Sequence, residues 1–467
     1  MADESIKNIL KVREDNAPLV LEQKERGGVF SVSEHQTSSW LPADKMNDIQ
    51  PSDLRREIEP WLTALFQSEH LSLLTGTGLS IAVQFLANNE SKNSVMSLPE
   101  LDTCYADNIK EKAKAIADAN DRGDSNIEDI IRVSNELLRG LEILGHDMAT
   151  DVDKKTAYDI LASNLERIIT HFTDGICEIE NGIAIAGEDK RKEAFDYLVN
   201  FLMSFASRTG TRERLNIFTT NYDRLIEAGA ELAGLHLLDR FVGSISPIFR
   251  SSRMDIDMHY NPPGIRGEPR YLEGVARFTK LHGSIYWINT DSDIRRIGLP
   301  FGSKDIHNFL NSPGIAGADI LKMMIYPNSV KDRDTAEYPY VELFRDFAAA
   351  ICRPNNTLVT YGFGFGDEHI NRVIRDMLTI PSTHLVIISY DEAGGRIMEK
   401  YKEFGRPSQI SLIVGNGLAD LKMLVDYFLP KPSIDRASIR MSELLKQRYS
   451  TPKSETPTND SGGENTE

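Results

Sequence analysis

Two residues of this sequence have side chains suited to proton transfer and water positioning, and both lie at the end of short apolar runs. Asn221 lies in Thr219-Thr220-Asn221-Tyr222-Asp223, directly after Leu215-Asn-Ile-Phe218, and His282 lies in Leu281-His282-Gly283. An imidazole exchanges protons near neutral pH, and a fixed amide can orient a water or a hydroxyl. Each residue also has a commoner structural explanation, since Thr, Asn and Asp cap helices and a lone histidine is more often structural.

Two glycine-rich segments are candidates for holding a phosphate-bearing ligand. Gly76-Thr77-Gly78-Leu79-Ser80 follows the apolar run 71–74, and its glycines would let the backbone approach a phosphate, while Ser80 and a helix N-terminus offer donors. Position 81 is Ile, so the third glycine of the GxGxxG pattern is missing and a plain tight turn explains the segment equally well. Gly362-Phe-Gly364-Phe-Gly366-Asp367 marks a loop where a ligand or another backbone comes close, because a strand interior tolerates such glycines poorly.

The elements that must position these segments alternate between strands and helices. Apolar runs predict strands at 71–74, 215–219, 278–281, 323–326, 357–361, 384–388 and 410–414, and helical patterns cover 340–353 and 367–378. Near-continuous apolar strands that alternate with helices are typical of a parallel sheet covered on both faces. The fold class is therefore α/β with a Rossmann-like parallel sheet, and the four segments lie at strand ends, where such sheets bind ligands.

The pattern also predicts three parts of the chain. Residues 56–430 form the main domain, with a helical subdomain inserted at about 96–210, where apolar stripes include Leu161, Leu165 and Ile168. Residues 1–55 form an N-terminal arm or hairpin, with strands near 18–21 and 29–32, and a strand pair added to the main sheet is an equal alternative. Residues 431–467 form a helix at 434–448 and a disordered tail, because 450–467 contains nothing apolar.

Composition and charge exclude several classes of protein. The chain has 467 residues with 53 Lys and Arg against 70 Asp and Glu, a net charge of −17, which argues against direct nucleic-acid binding as its main task. The three cysteines, Cys104, Cys177 and Cys352, form no CxxC pair, which favours a reducing, cytoplasmic location and no metal. No signal peptide or long apolar run points to a membrane. A nuclease built on Asp367-Glu368-His369 lacks a recognisable metal-binding spacing.

Taken in order, the four segments resemble the sirtuin catalytic domain over roughly residues 55–430. The sirtuin pattern has a Gly-Ala-Gly-x-Ser loop, a Thr-x-Asn-x-Asp segment, a Leu-His-Gly segment with the catalytic histidine, and a later glycine-rich nucleotide loop. Two departures argue against acyl-lysine recognition. The zinc ribbon of the deacylases is absent, since only Cys352 follows His282, and Ile81-Ala-Val-Gln-Phe-Leu86, which should be helical, replaces their Gly-Ile-Pro-Asp-Phe-Arg stretch.

Within the sirtuins, the sequence looks most like the NAD-degrading domains of bacterial anti-phage defence, and among these like the sirtuin-like partner of a HerA-type ATPase. The resemblance implies NAD as the substrate, Asn221 positioning a water or ribose hydroxyl, and His282 as general base. Asp223 would stabilise charge or cap the helix that begins near Arg224, and Asp367 or Asp391 would reach a ribose diol. The implied NAD-binding residues are Gly76, Thr77, Gly78, Ser80, Thr220, Asp223, Gly362, Gly364, Gly366 and Asp367.

The implied activity is hydrolysis of NAD+ to nicotinamide and ADP-ribose, with NAD depletion as the means of defence. An unregulated activity of this kind would kill the host, so gating by a homo-oligomer or by a partner ATPase is expected, with the N-terminal arm and the pair Arg250 and Arg253 as candidate contact surfaces. Two alternatives stay open. One is a protein deacylase or ADP-ribosyltransferase, and the other is a nucleotide-binding sensor or assembly subunit without turnover.

Overall fold

The computed structural model describes most of residues 6–431. Outside the described residues lie 1–5, 13, 14, 16, 24–27, 34, 35, 37, 39, 42, 90–99, 120–122, 145–151, 209–212, 261–269, 291, 292, 305, 316–337 and 432–467. The chain divides after Pro430, and only Lys431 of its second unit is described. The predicted strand at 323–326, the predicted helix at 434–448 and the predicted tail therefore lie outside the described residues.

Strands and helices alternate through most of the described chain. The strands are β1 (Ile6–Lys11), β2 (Leu19–Gln23), β3 (Phe30–Val32), β4 (His70–Thr75), β5 (Leu215–Thr219), β6 (His236–Leu238), β7 (Phe241–Val242), β8 (Ile248–Phe249), β9 (His259–Tyr260), β10 (Arg270–Tyr271), β11 (Val275–Lys280), β12 (Trp287–Asn289), β13 (Ile294–Arg296), β14 (Asn356–Tyr361), β15 (His384–Ser389) and β16 (Ile410–Val414). The helices are α1 (Pro51–Phe66), α2 (Thr77–Asn88), α3 (Ala106–Ala119), α4 (Ile127–Leu144), α5 (Val152–Ala184), α6 (Glu188–Ala206), α7 (Leu225–Ala233), α8 (Tyr340–Ile351), α9 (Glu368–Leu378), α10 (Arg396–Phe404), α11 (Asn416–Ala419) and α12 (Leu421–Met423).

A large, mostly parallel sheet is the centre of the fold, as the apolar runs predict. Its strand order is β3-β2-β1-β16-β15-β14-β4-β5-β11-β6, and every neighbouring pair from β16 to β6 is parallel. The short strands β12, β13, β8 and β7 form a second, antiparallel sheet. The α/β class with a Rossmann-like parallel sheet is thereby confirmed.

Both faces of the sheet are covered, because successive side chains of a strand point to opposite faces. Leu73 and Ile217 pack in one apolar core, with helices such as α1, α2 and α6, while their neighbours Leu74 and Phe218 pack in a second core with α4, α5 and α8. All four side chains are at most 2% exposed. Double coverage explains why these strands are apolar along their whole length.

The N-terminal strands extend the main sheet. β1 pairs antiparallel with β16, and β2 and β3 continue outward from β1. Lys11 is buried at the end of β1, and its ammonium group donates hydrogen bonds to the carbonyls of Pro407 (2.7 Å) and Ile410 (3.0 Å). The structure therefore has the added-strand arrangement, while the domain boundaries at 55 and 430 and a role of this segment in assembly stay predictions.

The helical region divides into two parts. α3, α4 and α5 pack on one another in sequence order, whereas α6 packs on α2 and α7 and so belongs to a layer that covers the sheet. Its Leu198, Phe201 and Phe205 are at most 1% exposed. α2 continues through residues 81–86, the stretch that the sequence predicts to be helical. No helix in the described ranges is long and apolar enough to cross a membrane.

Candidate active site

The four predicted segments follow four neighbouring parallel strands. In the order β14-β4-β5-β11, the strand ends lie side by side: Tyr361 pairs with Thr75, Thr75 with Thr219, and Thr219 with Lys280. Because the strands are parallel and in register, the loops that follow them leave the sheet at the same edge. The topology therefore brings together segments that lie almost 300 residues apart in sequence at their extremes.

The two glycine loops pack directly on each other. The backbone N–H groups of Gly76 and Gly78 donate to the carbonyls of Tyr361 (3.0 Å) and Gly362 (3.1 Å). A Cβ atom on Gly78 would lie 2.5 Å from the Gly362 Cα atom, and Gly362 itself has a φ of +61°. Close backbone packing thus explains these glycines without any ligand, and the N–H groups of Gly76 and Gly78 are already used.

Asn221 is held rigidly at the end of β5. Its side chain is 5% exposed, and its Nδ2 atom donates to the carbonyl of Gly76 (2.9 Å) and to Ser80 Oγ (2.9 Å). Its Oδ1 atom is buried and has no hydrogen-bond partner among the described residues. A buried amide oxygen without a partner is costly, and it is the acceptor expected where a water or a ligand hydroxyl binds.

Asp223 is linked to Asn221 through Ser80 and also contacts the start of α7. Ser80 Oγ hydrogen-bonds to Asp223 Oδ2, while the backbone N–H of Leu225 donates to Oδ1 at 3.1 Å. Burial raises the pKa of Asp223, and the nearby Lys280 ammonium opposes that shift. Of the two alternatives for Asp223, the structure shows the helix-capping contact, while a role in stabilising charge stays a prediction.

His282 forms a close pair with Asp367. Its Nε2 atom lies 2.7 Å from Asp367 Oδ2, and both side chains are mostly buried. Burial alone would lower the pKa of His282, but the hydrogen bond and the charge of Asp367 outweigh it, so that the pKa lies above its ordinary value. Burial would raise the pKa of Asp367, and His282 lowers it overall. The pair therefore favours an imidazolium beside a carboxylate.

The loop after β14 is anchored by its aromatic residues. Phe363 and Phe365 are 5% and 1% exposed, with ring centroids 5.0 Å apart, and Phe365 adopts a left-handed φ of +54°, which is uncommon for a residue other than glycine. Asp367 accepts hydrogen bonds from the first backbone N–H groups of α9, those of His369 (3.0 Å) and Ile370 (3.3 Å). The anchored loop thus holds the Asp367 carboxylate beside His282.

The remaining predicted residues lie in the same loops or nearby, and no direct hydrogen bond between them and Asn221 or His282 is seen among the described residues. Thr220 donates from its backbone N–H to the Thr75 carbonyl (3.1 Å), Thr77 is exposed at the start of α2, and the Gly364 carbonyl accepts a hydrogen bond from Arg396 (3.0 Å). Gly366 directly precedes Asp367 in the loop. Asp391 is exposed and accepts a hydrogen bond from the Ala393 N–H (2.8 Å). Within the described part of the chain, no hydrogen bond or ion pair joins Asp391 to Asn221 or His282.

Two residues that the sequence pattern does not single out, Tyr222 and Glu128, also contact the site. Tyr222, between Asn221 and Asp223, lies with its ring centroid 6.4 Å from that of His282. Its hydroxyl donates to Glu128 Oε1 (3.0 Å), a carboxylate at the start of α4. Tyr222 could have been found from its place inside the Thr219–Asp223 segment, whereas nothing in a helical pattern marks Glu128.

No set of three His, Cys, Asp or Glu side chains in the described part of the chain is arranged to hold a metal ion. What the arrangement provides instead is a buried amide with an open acceptor and an imidazole oriented by a carboxylate. These are groups for placing a water and accepting a proton.

A comparison with models of protein families gives a match for part of the chain. Residues 215–405, less than half of the chain, match the family model described as the SIR2-like domain. The matched range contains Asn221, His282 and the loop from Gly362 to Asp367. It begins at residue 215 and therefore does not include the loop at Gly76. No curated protein matches the chain. The match supports a sirtuin-like domain within the mostly parallel, Rossmann-type α/β fold, and such a domain suggests NAD binding and NAD-related activity in general.

Proposed function

We propose that the protein is an NAD+ hydrolase that cleaves the bond between nicotinamide and ribose. The observation that carries the proposal is the pairing of two groups at neighbouring strand ends: Asn221, with a buried Oδ1 atom that lacks a partner, and His282, oriented by Asp367. The SIR2-like match supports NAD as the substrate. A module that only binds a nucleotide needs neither an oriented base nor a water-positioning amide.

The residues fit such a substrate in a specific way. Hydrolysis of the nicotinamide–ribose bond develops positive charge at C1′ of the ribose and consumes one water, as glycoside hydrolysis does. Asn221 Oδ1 would accept a hydrogen bond from that water or from a ribose hydroxyl. His282 Nε2–H donates to Asp367, which leaves Nδ1 to take the proton from the water. Because the N–H groups of Gly76 and Gly78 are occupied and the Ser80 hydroxyl donates to Asp223, Thr77 is the residue of this loop that we expect to donate to the diphosphate.

The setting of this activity is also proposed. The resemblance of the sequence to defence sirtuins supports a role in anti-phage defence by NAD depletion in the cytoplasm. We expect the protein to form a homo-oligomer whose activity is gated by assembly or by a HerA-type ATPase. The antiparallel strands β1, β2 and β3 lie at one edge of the main sheet, and Arg250 is half-exposed, 3.7 Å from Asp293. These two surfaces remain the candidate contacts for assembly.

Product analysis distinguishes the proposal from its alternatives. Purified full-length protein is incubated with NAD, alone and with a co-purified ATPase partner, and the products are separated by chromatography. The proposal predicts nicotinamide and ADP-ribose in equal amounts with no added acceptor. Nicotinamide release only in the presence of an acyl-lysine peptide or an acceptor protein would indicate a deacylase or an ADP-ribosyltransferase. NAD binding without any release would indicate a sensor or an assembly subunit.

A further inference from the structure

We infer that Glu128, on the helical insertion, is a positioning residue for the Asn221–His282 site and that it acts through the hydroxyl group of Tyr222. The inference deepens the proposed function and rests on it. α4, which carries Glu128, contains none of the four sequence segments that define the site, so a catalytic contribution from this helix would make the insertion part of the active centre.

Tyr222 is the residue that links the elements around the site. It is 7% exposed, and its ring packs edge-on against Phe172 of α5, with centroids 5.4 Å apart. Its carbonyl accepts a hydrogen bond from Ser284 Oγ (3.0 Å), two residues beyond His282. Its backbone lies directly between Asn221 and Asp223, so a shift of Tyr222 would move both the amide and the loop that carries the imidazole.

Glu128 fixes the outer end of the Tyr222 side chain. The Tyr222 hydroxyl donates to Glu128 Oε1 at 3.0 Å, and a hydrogen bond to a carboxylate is stronger than one between neutral groups. Glu128 lies in the first turn of α4, where a negative charge also stabilises the helix N-terminus. Helix stabilisation alone would not require a contact with the segment that carries Asn221.

The charge of Glu128 also reaches His282. Burial lowers the pKa of His282, the hydrogen bond and charge of Asp367 raise it, and the charge of Glu128 adds to that rise. Tyr222 on the β5 loop faces the imidazole, Tyr340 of α8 interacts with Tyr222, and His369 of α9 interacts with Asp367. Removing the Glu128 charge therefore lowers the pKa of His282, while the Asp367 contact stays in place.

Four single variants and the double variant Y222F/E128A separate the hydrogen bond from the charge. Y222F and E128A remove the hydrogen bond, E128Q keeps an acceptor oxygen but removes the charge, and E142Q changes an exposed glutamate on the same helix as a matched control. We expect Y222F and E128A each to lower kcat about tenfold with KM nearly unchanged, and the double variant to lose little more than either single variant. E128Q should retain most of kcat, with the acidic limb of the pH profile moved to lower pH. E142Q should match the wild type.

Additive losses in the double variant, or a kcat unchanged in both Y222F and E128A, would overturn the inference. A second measurement needs no turnover: NMR titration of the His282 imidazole in the full-length chain. The pKa should be lower in E128Q than in the wild type and unchanged in E142Q, and equal values in all three proteins would also overturn the inference. Failure of the wild-type protein to release nicotinamide would instead reject the proposed function, and the titration would still test the contact.

Discussion

His282 and Asp367 form a pair whose charge state decides when the imidazole can accept a proton. The carboxylate stabilises the imidazolium, so the neutral form that acts as a base is populated only at pH values above the raised pKa of His282. Hydrolysis by this site should therefore increase as the pH rises through that pKa. Asp367, which the sequence resemblance links to a ribose diol, is hydrogen-bonded to His282 in the structure, and its contact with a ribose diol stays a prediction.

Substitution of Asp367 by Asn tests this pairing. D367N removes the charge that stabilises the imidazolium, so the pKa of His282 falls and the acidic limb of kcat/KM moves to lower pH. The maximal rate should also fall, by about tenfold to a hundredfold, because the ring loses its oriented partner. D376N, at an exposed position of the same helix α9, is the matched control. An acidic limb that stays in place in D367N would show that Asp367 does not set the charge state of His282.

At the scale of elements, the site depends on loops that fit together without side chains between them. The loops after β4 and β14 approach so closely at Gly76, Gly78 and Gly362 that a Cβ atom at any of the three would lie 2.5 or 2.6 Å from backbone atoms of the other loop. The sirtuin resemblance implies that Gly76 and Gly78 bind the diphosphate of NAD and that Gly362 lies in the nucleotide-binding loop. The structure gives them a packing role that holds whether or not a ligand is bound.

The glycine contact can be tested by adding one methyl group. G78A should destabilise the protein by about 1–3 kcal/mol, since neither backbone can move without disturbing its strand. G140A, in α4, has no heavy atom within 4 Å of the added Cβ and should be neutral or stabilising by up to about 1 kcal/mol. Urea unfolding midpoints measure both effects. Equal stability of G78A and the wild type would contradict the packing explanation.

A buried ion pair ties α5 to the loop after β5. Glu180 is fully buried, and it accepts hydrogen bonds from the Arg224 backbone N–H (2.7 Å), from Arg224 Nη2 (2.6 Å) and from the Tyr286 hydroxyl (2.6 Å). E180A leaves the Arg224 guanidinium without its carboxylate partner, which typically costs about 3–5 kcal/mol. D118N, which removes an exposed ion pair on α3, should leave the unfolding midpoint unchanged. Similar midpoints for E180A and D118N would show that this contact does not hold the elements together.

At the scale of the whole molecule, the sequence predicts the positions of the main-sheet strands and the edge of the sheet at which the site lies. The runs at 71–74, 215–219 and 384–388 lie within β4, β5 and β15, because strands covered on both faces are apolar throughout. Their parallel order also places the four segments at one edge. The small sheet of β7, β8, β12 and β13 was missed, since strands of two or three residues are too short to show a periodic pattern.

Contacts between distant residues are what the sequence does not specify. His282 and Asp367 are 85 positions apart, and no local pattern shows that they touch. Glu128 lies on an amphipathic helix where a glutamate near the N-terminus is expected for the helix alone. The sequence therefore locates the loops of the site, while the tertiary structure alone supplies the partners of each side chain.

The most direct test of the catalytic assignment compares NAD turnover in H282A and N221A with that in H236A. His236 is an exposed histidine on β6 and serves as the matched control. Each protein is first shown to bind NAD and to unfold at the wild-type temperature, and nicotinamide release is then followed by chromatography. We predict that H282A and N221A lose at least about a hundredfold in kcat while H236A keeps the wild-type rate. Wild-type rates in both H282A and N221A would contradict the assignment of the active site.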